Sequence, residues 1–197
     1  MMVKLCGMTR AEDVALACEL GADAIGFVLW PESPRCVAVD RVASLVASMP
    51  ASTTPVGVLV TPEADEIERA VDAGLRVLQI YGGLDRVWTV SVPLWLAANV
   101  DSDLSAVPSD VPVVLDAHDP ERHGGTGRTI DWKRAARLAA ERRVVLAGGL
   151  TAANVTTAIQ QVRPYGVDVA SGVESRPGVK DAHAMRQFVA AVREADR

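Results

Sequence analysis

The sequence predicts an α/β fold, a (β/α)8 barrel that forms a single domain over residues 1–197. Three observations favour it. Eight short apolar runs recur along the chain, helical segments lie between most of them, and no linker interrupts the alternation. Runs that are almost wholly apolar are typical of a parallel sheet covered by helices, and eight strands are the number that closes such a barrel. An open, doubly wound sheet is the alternative for the same alternation.

Each predicted strand is a short apolar run bounded by turn-forming or polar residues. The first ends at Cys6, directly before Gly7, and the sixth ends at Asp116. In order, the strands cover residues 3–6, 24–29, 55–60, 76–80, 93–97, 111–116, 143–147 and 166–169.

The helices are placed by their start and stop signals. Thr9 is expected to cap the first helix, which ends before Gly21, and Thr61 to cap the third, which ends before Gly74. In order, the helices run from the Thr9 cap to residue 20 and over residues 40–48, 63–73, 131–141, 152–161 and 181–195. Residues 100–109 favour a short or irregular connection, because they contain a proline and several Ser and Asp residues.

Composition narrows the classes of function. The chain is 49% hydrophobic but only 4% aromatic, which indicates a core of small aliphatic side chains and argues against aromatic platforms for nucleic acid. A net charge of -5 without a basic run argues against a polyanion or an anionic membrane as partner. No apolar stretch reaches about 18 residues, and the first residues lead directly into a strand, so a cytoplasmic protein is expected.

Three cysteines indicate neither a disulfide framework nor a metal site. Cys6, Cys18 and Cys36 form no CxxC pair and leave one thiol over under any pairing. The three histidines do not have the spacing of metal ligands. We therefore expect reduced thiols and no bound metal.

Two proton-transfer groups stand at strand ends and suggest an isomerase. Catalytic groups of a parallel barrel lie in the loops that follow the strands, which is where Cys6 and Asp116 fall. A paired acid and base can move a proton within a substrate. A cysteine in this position can also be a small buried hydrophobe, and the aspartate a cap or turn residue.

Loops after the strands supply candidate binding elements. The loops over residues 30–38 and 117–130 exceed the roughly 2–6 residues usual for such connections. The second contains Gly125 within a glycine-rich run that permits close backbone approach to a ligand, although a plain surface loop is the alternative. The turns Gly148-Gly149 and Ser171-Gly172 follow strands 7 and 8, where barrels bind phosphate through backbone N–H groups. One phosphate site is expected, because the first half of the chain is poorer in such turns.

Specific motifs then occur in the order of a known family. They are Lys4-Leu5-Cys6-Gly7-Met8-Thr9, Gly26-Phe27-Val28, Ser33-Pro34-Arg35, Val56-Gly57-Val58, Gly124-Gly125-Thr126-Gly127, Leu146-Ala147-Gly148-Gly149-Leu150, and Ser171-Gly172-Val173-Glu174 with Pro177-Gly178 and Lys180-Asp181. Over about residues 3–188 the chain resembles the phosphoribosylanthranilate isomerases of tryptophan biosynthesis.

The resemblance implies a TIM barrel and an Amadori rearrangement of N-(5'-phosphoribosyl)anthranilate that needs no cofactor. It assigns Cys6 as general base, Asp116 as general acid and Arg35 as the partner of the anthranilate carboxylate. The glycine-rich loop with Gly125, together with the two turns after strands 7 and 8, is expected to bind the phosphorylated substrate. We expect a monomer or a homodimer.

The chemistry sets requirements that the sequence leaves open. An ordinary Asp titrates near about 4 and an ordinary Cys near about 8.5, so the acid needs desolvation and the base needs a cationic or dipolar neighbour. Lys4 is a candidate because positions 4 and 6 of a strand share a face. Two departures from the family pattern stand out: Tyr81 replaces a common histidine, and Ala170 replaces a common serine.

Two other functions remain open. A dual-substrate isomerase that also serves histidine biosynthesis would use similar chemistry but needs a second phosphate site across the barrel. A non-catalytic barrel that binds a partner would have no need to keep Cys6, Asp116 and Arg35 together.

Overall fold

A computed structural model describes residues 1–83, 90–116 and 130–197. Eight parallel strands form a closed barrel in which each strand pairs with the next along the chain and the eighth returns to the first. The predicted (β/α)8 fold is therefore confirmed. Within the described ranges, no helix combines the length and the apolar character needed to span a bilayer.

The barrel strands are β1 Met2–Cys6, β2 Ala24–Val28, β3 Thr54–Val60, β4 Val77–Tyr81, β5 Leu94–Ala98, β6 Val113–Leu115, β7 Val144–Leu146 and β8 Gly166–Val169. The helices are α1 Ala11–Glu19, α2 Val39–Val46, α3 Ala64–Asp72, α4 Trp132–Glu141, α5 Val155–Val162 and α6 Ala182–Ala195. Each element lies close to a predicted one, and differences of one to three residues occur at the ends. Residues 100–109 form turns and no helix, as expected.

The two predicted threonine caps are wrong. Helix α1 begins after Arg10, because Thr9 uses its hydroxyl to donate a hydrogen bond to the carbonyl of Gly178. Helix α3 begins after Glu63, whose backbone N–H donates to the carboxylate of Glu66 at 2.9 Å. Thr61 stands before that helix with φ of 40°, so it belongs to the turn after β3. A tertiary contact of Thr9 replaced the first predicted cap, and the capping box between Glu63 and Glu66 replaced the second.

Two elements were not predicted. A short 3-10 helix over Ser171–Val173 follows β8, and an antiparallel hairpin of β9 (Glu174–Arg176) and β10 (Val179–Lys180) follows that helix. Both lie at the carboxyl end of the barrel, before α6. They place the motif of residues 171–181 beside the strand ends.

Most of the core lies between the barrel and its helices, where large side chains such as Leu5, Phe27 and Phe188 are fully buried. The barrel interior is different. It holds a smaller apolar cluster that includes Cys6, Val58, Tyr81, Ala97, Val114, Val145 and Ala147. Lys4, Gln79 and Asp168 are also buried, so the lumen contains polar groups that need partners.

Candidate active site

A cavity of about 460 Å³ opens at the carboxyl end of the barrel. It brings together every predicted site residue that the structure describes: Cys6, Arg35, Asp116, Gly148, Gly149, Ser171 and Gly172. Gly125, with the rest of residues 117–129, lies outside the described residues. Val28, in β2, also lines this cavity, and the loop after β2 contributes Trp30 and Glu32, Ser33, Pro34 and Arg35.

Cys6 is a buried thiol at the end of β1, with 7% of its surface exposed. Its neighbour across the β1–β2 pairing is Gly26, where an added Cβ would lie 2.6 Å from Sγ. The glycine therefore makes room for the thiol. Burial raises the pKa of Cys6, and the ammonium groups of Lys4 and Lys180 lower it without cancelling the effect of burial.

Lys4 is the cationic neighbour of Cys6 that the sequence could suggest only as a candidate. Its side chain is fully buried, and its Nζ donates to Oδ2 of Asp168 at 2.7 Å across the β1–β8 pairing. Burial lowers the pKa of Lys4, but the charges of Asp168 and Cys6 outweigh it, so the pKa lies above its ordinary value. The lumen beneath the thiol thus carries a charged ammonium group.

Asp168 uses only one carboxylate oxygen for this ion pair. Its Oδ1 is buried and has no hydrogen-bond partner within the described residues, yet Asp168 lines the cavity. A buried carboxylate oxygen without a donor is costly, so a donor from a bound ligand would stabilise it. The sequence analysis did not single out Asp168, because its apolar strand gives no signal of the pairing with Lys4.

Asp116 follows β6 and is buried at the cavity wall. Its backbone N–H donates to the carbonyl of Ala98 at 3.0 Å, which anchors it to β5. The hydroxyl of Tyr81, on β4, donates to Oδ2 of Asp116 at 2.8 Å. The sequence analysis noted Tyr81 only as a departure from the family pattern, and its contact with the predicted acid was missed.

Arg35 lies in a fork with Glu174. Its Nε donates to Oε1 at 2.9 Å and its Nη2 donates to Oε2 at 2.8 Å. Lys180 donates from Nζ to the same carboxylate at 2.9 Å and to the carbonyl of Ala170 at 3.0 Å. The side chains of Glu174 and Lys180 are buried, and that of Arg35 is 13% exposed. The guanidinium is therefore held rigidly at the cavity, with Nη1 making no hydrogen bond in the described part of the chain.

The charges of this cluster are set by burial and pairing. Burial raises the pKa of Glu174, but hydrogen bonds from Arg35 and the charge of Lys180 outweigh it, so the carboxyl pKa lies below its usual range. Burial lowers the pKa of Lys180, and Glu174 only partly opposes that effect. Two cations around one carboxylate leave a net positive charge, which suits an anionic ligand.

The motif around residues 174–181 acts as a brace for Arg35. Gly178, at the tip of the β9–β10 hairpin, has φ of 76° and donates its N–H to Oε1 of Glu174 at 3.3 Å. An added Cβ at Gly178 would lie 3.2 Å from the carbonyl oxygen of Pro34. The hairpin therefore packs on the loop that carries Arg35. The sequence identified these residues as a motif but gave no indication that they support the arginine.

The two predicted phosphate turns are in direct contact. An added Cβ on Gly172 would lie 1.9 Å from the carbonyl oxygen of Leu150, so only glycine permits this approach. Gly148 and Gly149 have φ of 78° and 65°, and their N–H groups donate to no carbonyl within the described residues. Asn154 braces the first turn by donating to the carbonyl of Gly149 at 2.9 Å. Unpaired amides at such a turn can bind an anion.

Comparisons with known proteins agree with one another. A model of the N-(5'phosphoribosyl)anthranilate (PRA) isomerase family matches residues 3–191. An N-(5'-phosphoribosyl)anthranilate isomerase from Pelobacter propionicus is 42% identical over 199 residues, covering 98% of this chain and 95% of its own.

Solved structures extend the similarity to three dimensions. A phosphoribosyl anthranilate isomerase from Thermus thermophilus superposes with a TM-score of 0.87 at 33% identity, covering 98% of this chain and 99% of its own. A phosphoribosyl anthranilate isomerase in complex with reduced 1-(o-carboxyphenylamino)-1-deoxyribulose 5-phosphate has a TM-score of 0.82 at 30% identity, covering 98% and 99% of the two chains.

Proposed function

The chain belongs to the N-(5'-phosphoribosyl)anthranilate isomerase family, and we propose that it converts N-(5-phosphoribosyl)anthranilate to 1-(2-carboxyphenylamino)-1-deoxyribulose 5-phosphate in tryptophan biosynthesis, with Cys6 as general base and Asp116 as general acid. The observation that carries the proposal is that one cavity holds all of these groups. It contains a buried thiol and a buried carboxyl group, with a braced arginine and a pair of glycine turns in the same cavity.

The acid acts first. Asp116 donates a proton to the furanose ring oxygen, the bond from C1 to that oxygen breaks, and the nitrogen lone pair forms a C1–N double bond. The product of this step is an open-chain, protonated Schiff base. The place of Asp116 supports the role, because its side chain lies at the wall of the cavity that also contains the Cys6 thiol.

The base acts second. The Cys6 thiolate removes the proton from C2, and the electrons of that C–H bond form a C1–C2 double bond while the C1–N π electrons return to nitrogen. The enolamine then loses its 2-hydroxyl proton and gains one at C1, which yields the 2-ketone. No atom is gained or lost overall, so the steps need no redox or group-transfer partner.

The environment of Cys6 suits a strong base. Because burial raises the pKa of the thiol, the thiolate is the minor form near neutral pH, but a base with a higher pKa removes a proton from carbon more readily once it forms. Lys4 stabilises the thiolate through its charge.

We propose that Oδ1 of Asp168, which lacks a donor among the described residues, accepts a hydrogen bond from a hydroxyl group of the opened sugar.

Substrate binding follows from the charged groups. We propose that Arg35 binds the anthranilate carboxylate through the side of its guanidinium that faces away from Glu174, since a planar fork matches a carboxylate. The amides of Gly148, Gly149, Ser171 and Gly172 hold the phosphate. Binding of the same substrate by Gly125 stays a prediction from the sequence.

The assay uses purified protein and freshly generated phosphoribosylanthranilate, with product formation followed by the loss of anthranilate fluorescence. Cys6→Ala and Asp116→Asn are each expected to lower kcat by about 10²–10⁴-fold, the usual contribution of a general acid or base. Cys18→Ala and Asp72→Asn are matched controls on α1 and α3, outside the cavity, and should keep wild-type kcat. Near-normal turnover by either active-site variant would remove that residue from its role.

A dual-substrate isomerase is the second candidate. Gly82 and Gly83, after β4, also have positive φ, at 82° and 66°, and line a neighbouring cavity of about 410 Å³. This turn lies on the half of the barrel opposite Gly148-Gly149, where a second phosphate would have to bind. We expect little activity on the histidine-pathway aminoaldose, and comparable kcat/KM on both substrates would establish the second candidate instead.

The cellular setting completes the proposal. We propose a cytoplasmic enzyme that acts on a small phosphorylated molecule as a monomer or homodimer; its net charge of -5 gives no attraction for nucleic acid. Light scattering on the purified protein and fractionation of cells that express it would test the oligomeric state and the location.

A further inference from the structure

The pair formed by Tyr81 and Asp116 lies between two cavities. Val60, Tyr81 and Asp116 line both the main cavity and the neighbouring one on the β4–β5 side. Tyr81 is 9% exposed and Asp116 7% exposed, so their hydrogen bond is largely sheltered from water. A hydrogen bond in such surroundings is stronger than one at the surface.

The direction of this hydrogen bond follows from the third member of the group. Gln79, two positions earlier on β4, directs Nε2 at the Tyr81 hydroxyl, 3.4 Å away. A hydroxyl has one proton to donate, and since Gln79 offers a donor, the proton of Tyr81 goes to Asp116. Burial, followed by the charge of Asp116, raises the pKa of Tyr81 well above its usual value, so the phenol stays a neutral donor at working pH.

We propose that Tyr81 is a positioning residue for the proton-donating carboxyl group, holding Oδ2 of Asp116 at a fixed orientation and stabilising the carboxylate that forms when the proton leaves. The inference rests on the proposed role of Asp116 as general acid. It also explains a tyrosine at a position where histidine is common in the family pattern, because the ring N–H of a histidine can donate a hydrogen bond in the same way.

Other charged groups act on one or the other member of the pair. Cys6 on β1 and Asp168 on β8 act on Tyr81, and Arg35 in the loop after β2 acts on Asp116. The strands β5 and β7 contribute the apolar Ala97 and Ala147. The phenol is neutral, so removing its hydroxyl leaves all these charges in place and isolates the hydrogen bond.

The test compares Tyr81→Phe with Tyr165→Phe. The chain has two tyrosines, and Tyr165 is 50% exposed before β8, at the opposite end of the barrel, so its variant makes the same chemical change outside the site. A hydrogen bond donated to a carboxylate favours the ionised form. In Tyr81→Phe we therefore expect kcat to fall by about 10–100-fold with KM within about twofold of wild type.

The pH dependence of kcat shows the direction in which the pKa of Asp116 changes. Loss of the donor raises the pKa of Asp116. Because the pKa of the required base, Cys6, is raised, the alkaline limb of kcat belongs to Cys6 and the acid limb to the carboxyl group of Asp116. The acid limb is therefore expected to move to higher pH by about one unit in Tyr81→Phe. Tyr81→His is expected to recover part of both effects, and Tyr165→Phe should match wild type. A rise in KM alone, an unmoved acid limb, or an acid limb moved to lower pH would overturn the positioning role.

A measurement without turnover separates this inference from the proposed function. Carboxyl ¹³C NMR of aspartate-labelled protein, with the Asp116 signal identified by its loss in Asp116→Asn, reports the titration directly. If wild type lacks isomerase activity, the proposed function fails, yet the titration still tests Tyr81. A titration of Asp116 that is the same in wild type and Tyr81→Phe would overturn the inference.

Discussion

Replacing Lys4 with methionine tests the ion pair inside the barrel. Methionine keeps most of the side-chain length but removes the ammonium group, so Asp168 becomes a buried carboxylate without its partner. The two charges are 2.7 Å apart, and Lys4 is fully buried. With an effective dielectric constant of about 20, their attraction is about 6 kcal/mol. The cost of desolvating both groups opposes it, so the loss on removing one partner is expected to be about 3–5 kcal/mol.

The measurement is urea unfolding followed by far-UV circular dichroism, with Lys4→Met and the double variant Lys4→Met/Asp168→Asn side by side. The double variant removes both charges and should recover much of the lost free energy of unfolding, because no buried charge is left alone. If the free energy of unfolding of Lys4→Met were lower than that of wild type by less than about 1 kcal/mol, the ion pair would not stabilise the barrel as described. The same conclusion would follow if the double variant were no more stable than the single one.

The pH dependence of this effect has a definite sign. The pKa of Lys4 is raised in the folded protein, so its contribution is complete below the unfolded-state pKa of about 10.4 and is lost as the pH rises through the folded-state pKa. The stability difference between wild type and Lys4→Met is therefore expected to be constant from neutral pH to about pH 10 and to shrink above that. A difference that vanished near pH 7 would contradict the assigned charge state.

Two further variants test the substrate-binding groups. Glu174→Gln should raise KM about tenfold, because Arg35 loses its charged fork partner. The pKa of Glu174 is lowered in the folded protein, so the stability advantage of wild type over Glu174→Gln should be complete above about pH 4.3 and shrink in more acidic solution. Acid unfolding of both proteins measures this difference. Gly172→Ala should raise KM and weaken inhibition by inorganic phosphate, because its Cβ would lie 1.9 Å from a backbone oxygen. Gly21→Ala is the control: its φ of 72° costs about 1 kcal/mol, but nothing lies within 4 Å, so KM should stay unchanged. Unchanged KM in Glu174→Gln or Gly172→Ala would remove that residue from substrate binding.

The fold could be predicted from the sequence because its signals are local. Apolar runs, helix periodicity and terminal glycines such as Gly21 and Gly74 each report on a few neighbouring residues, and eight repeats of one pattern leave few topologies. Placement of Cys6, Asp116 and the two glycine turns at one cavity follows from the same logic, since parallel strands end at one face. The threonine caps failed because a hydroxyl can serve any nearby acceptor, and Thr9 found one 169 residues away.

The partners of the site residues were decided only by barrel closure. Lys4 meets Asp168 across the seam between the first and last strands, 164 residues apart. Arg35 meets Glu174 across 139 residues, and Tyr81 meets Asp116 across 35. None of these pairs has a local sequence signature, because the sequence does not show whether a charged or polar side chain is exposed to water or paired with another side chain. The sequence by itself determined that Cys6, Asp116 and the two glycine turns lie at one end of the barrel. The closed barrel decided which other groups are buried with them, and hence the charge and orientation of each.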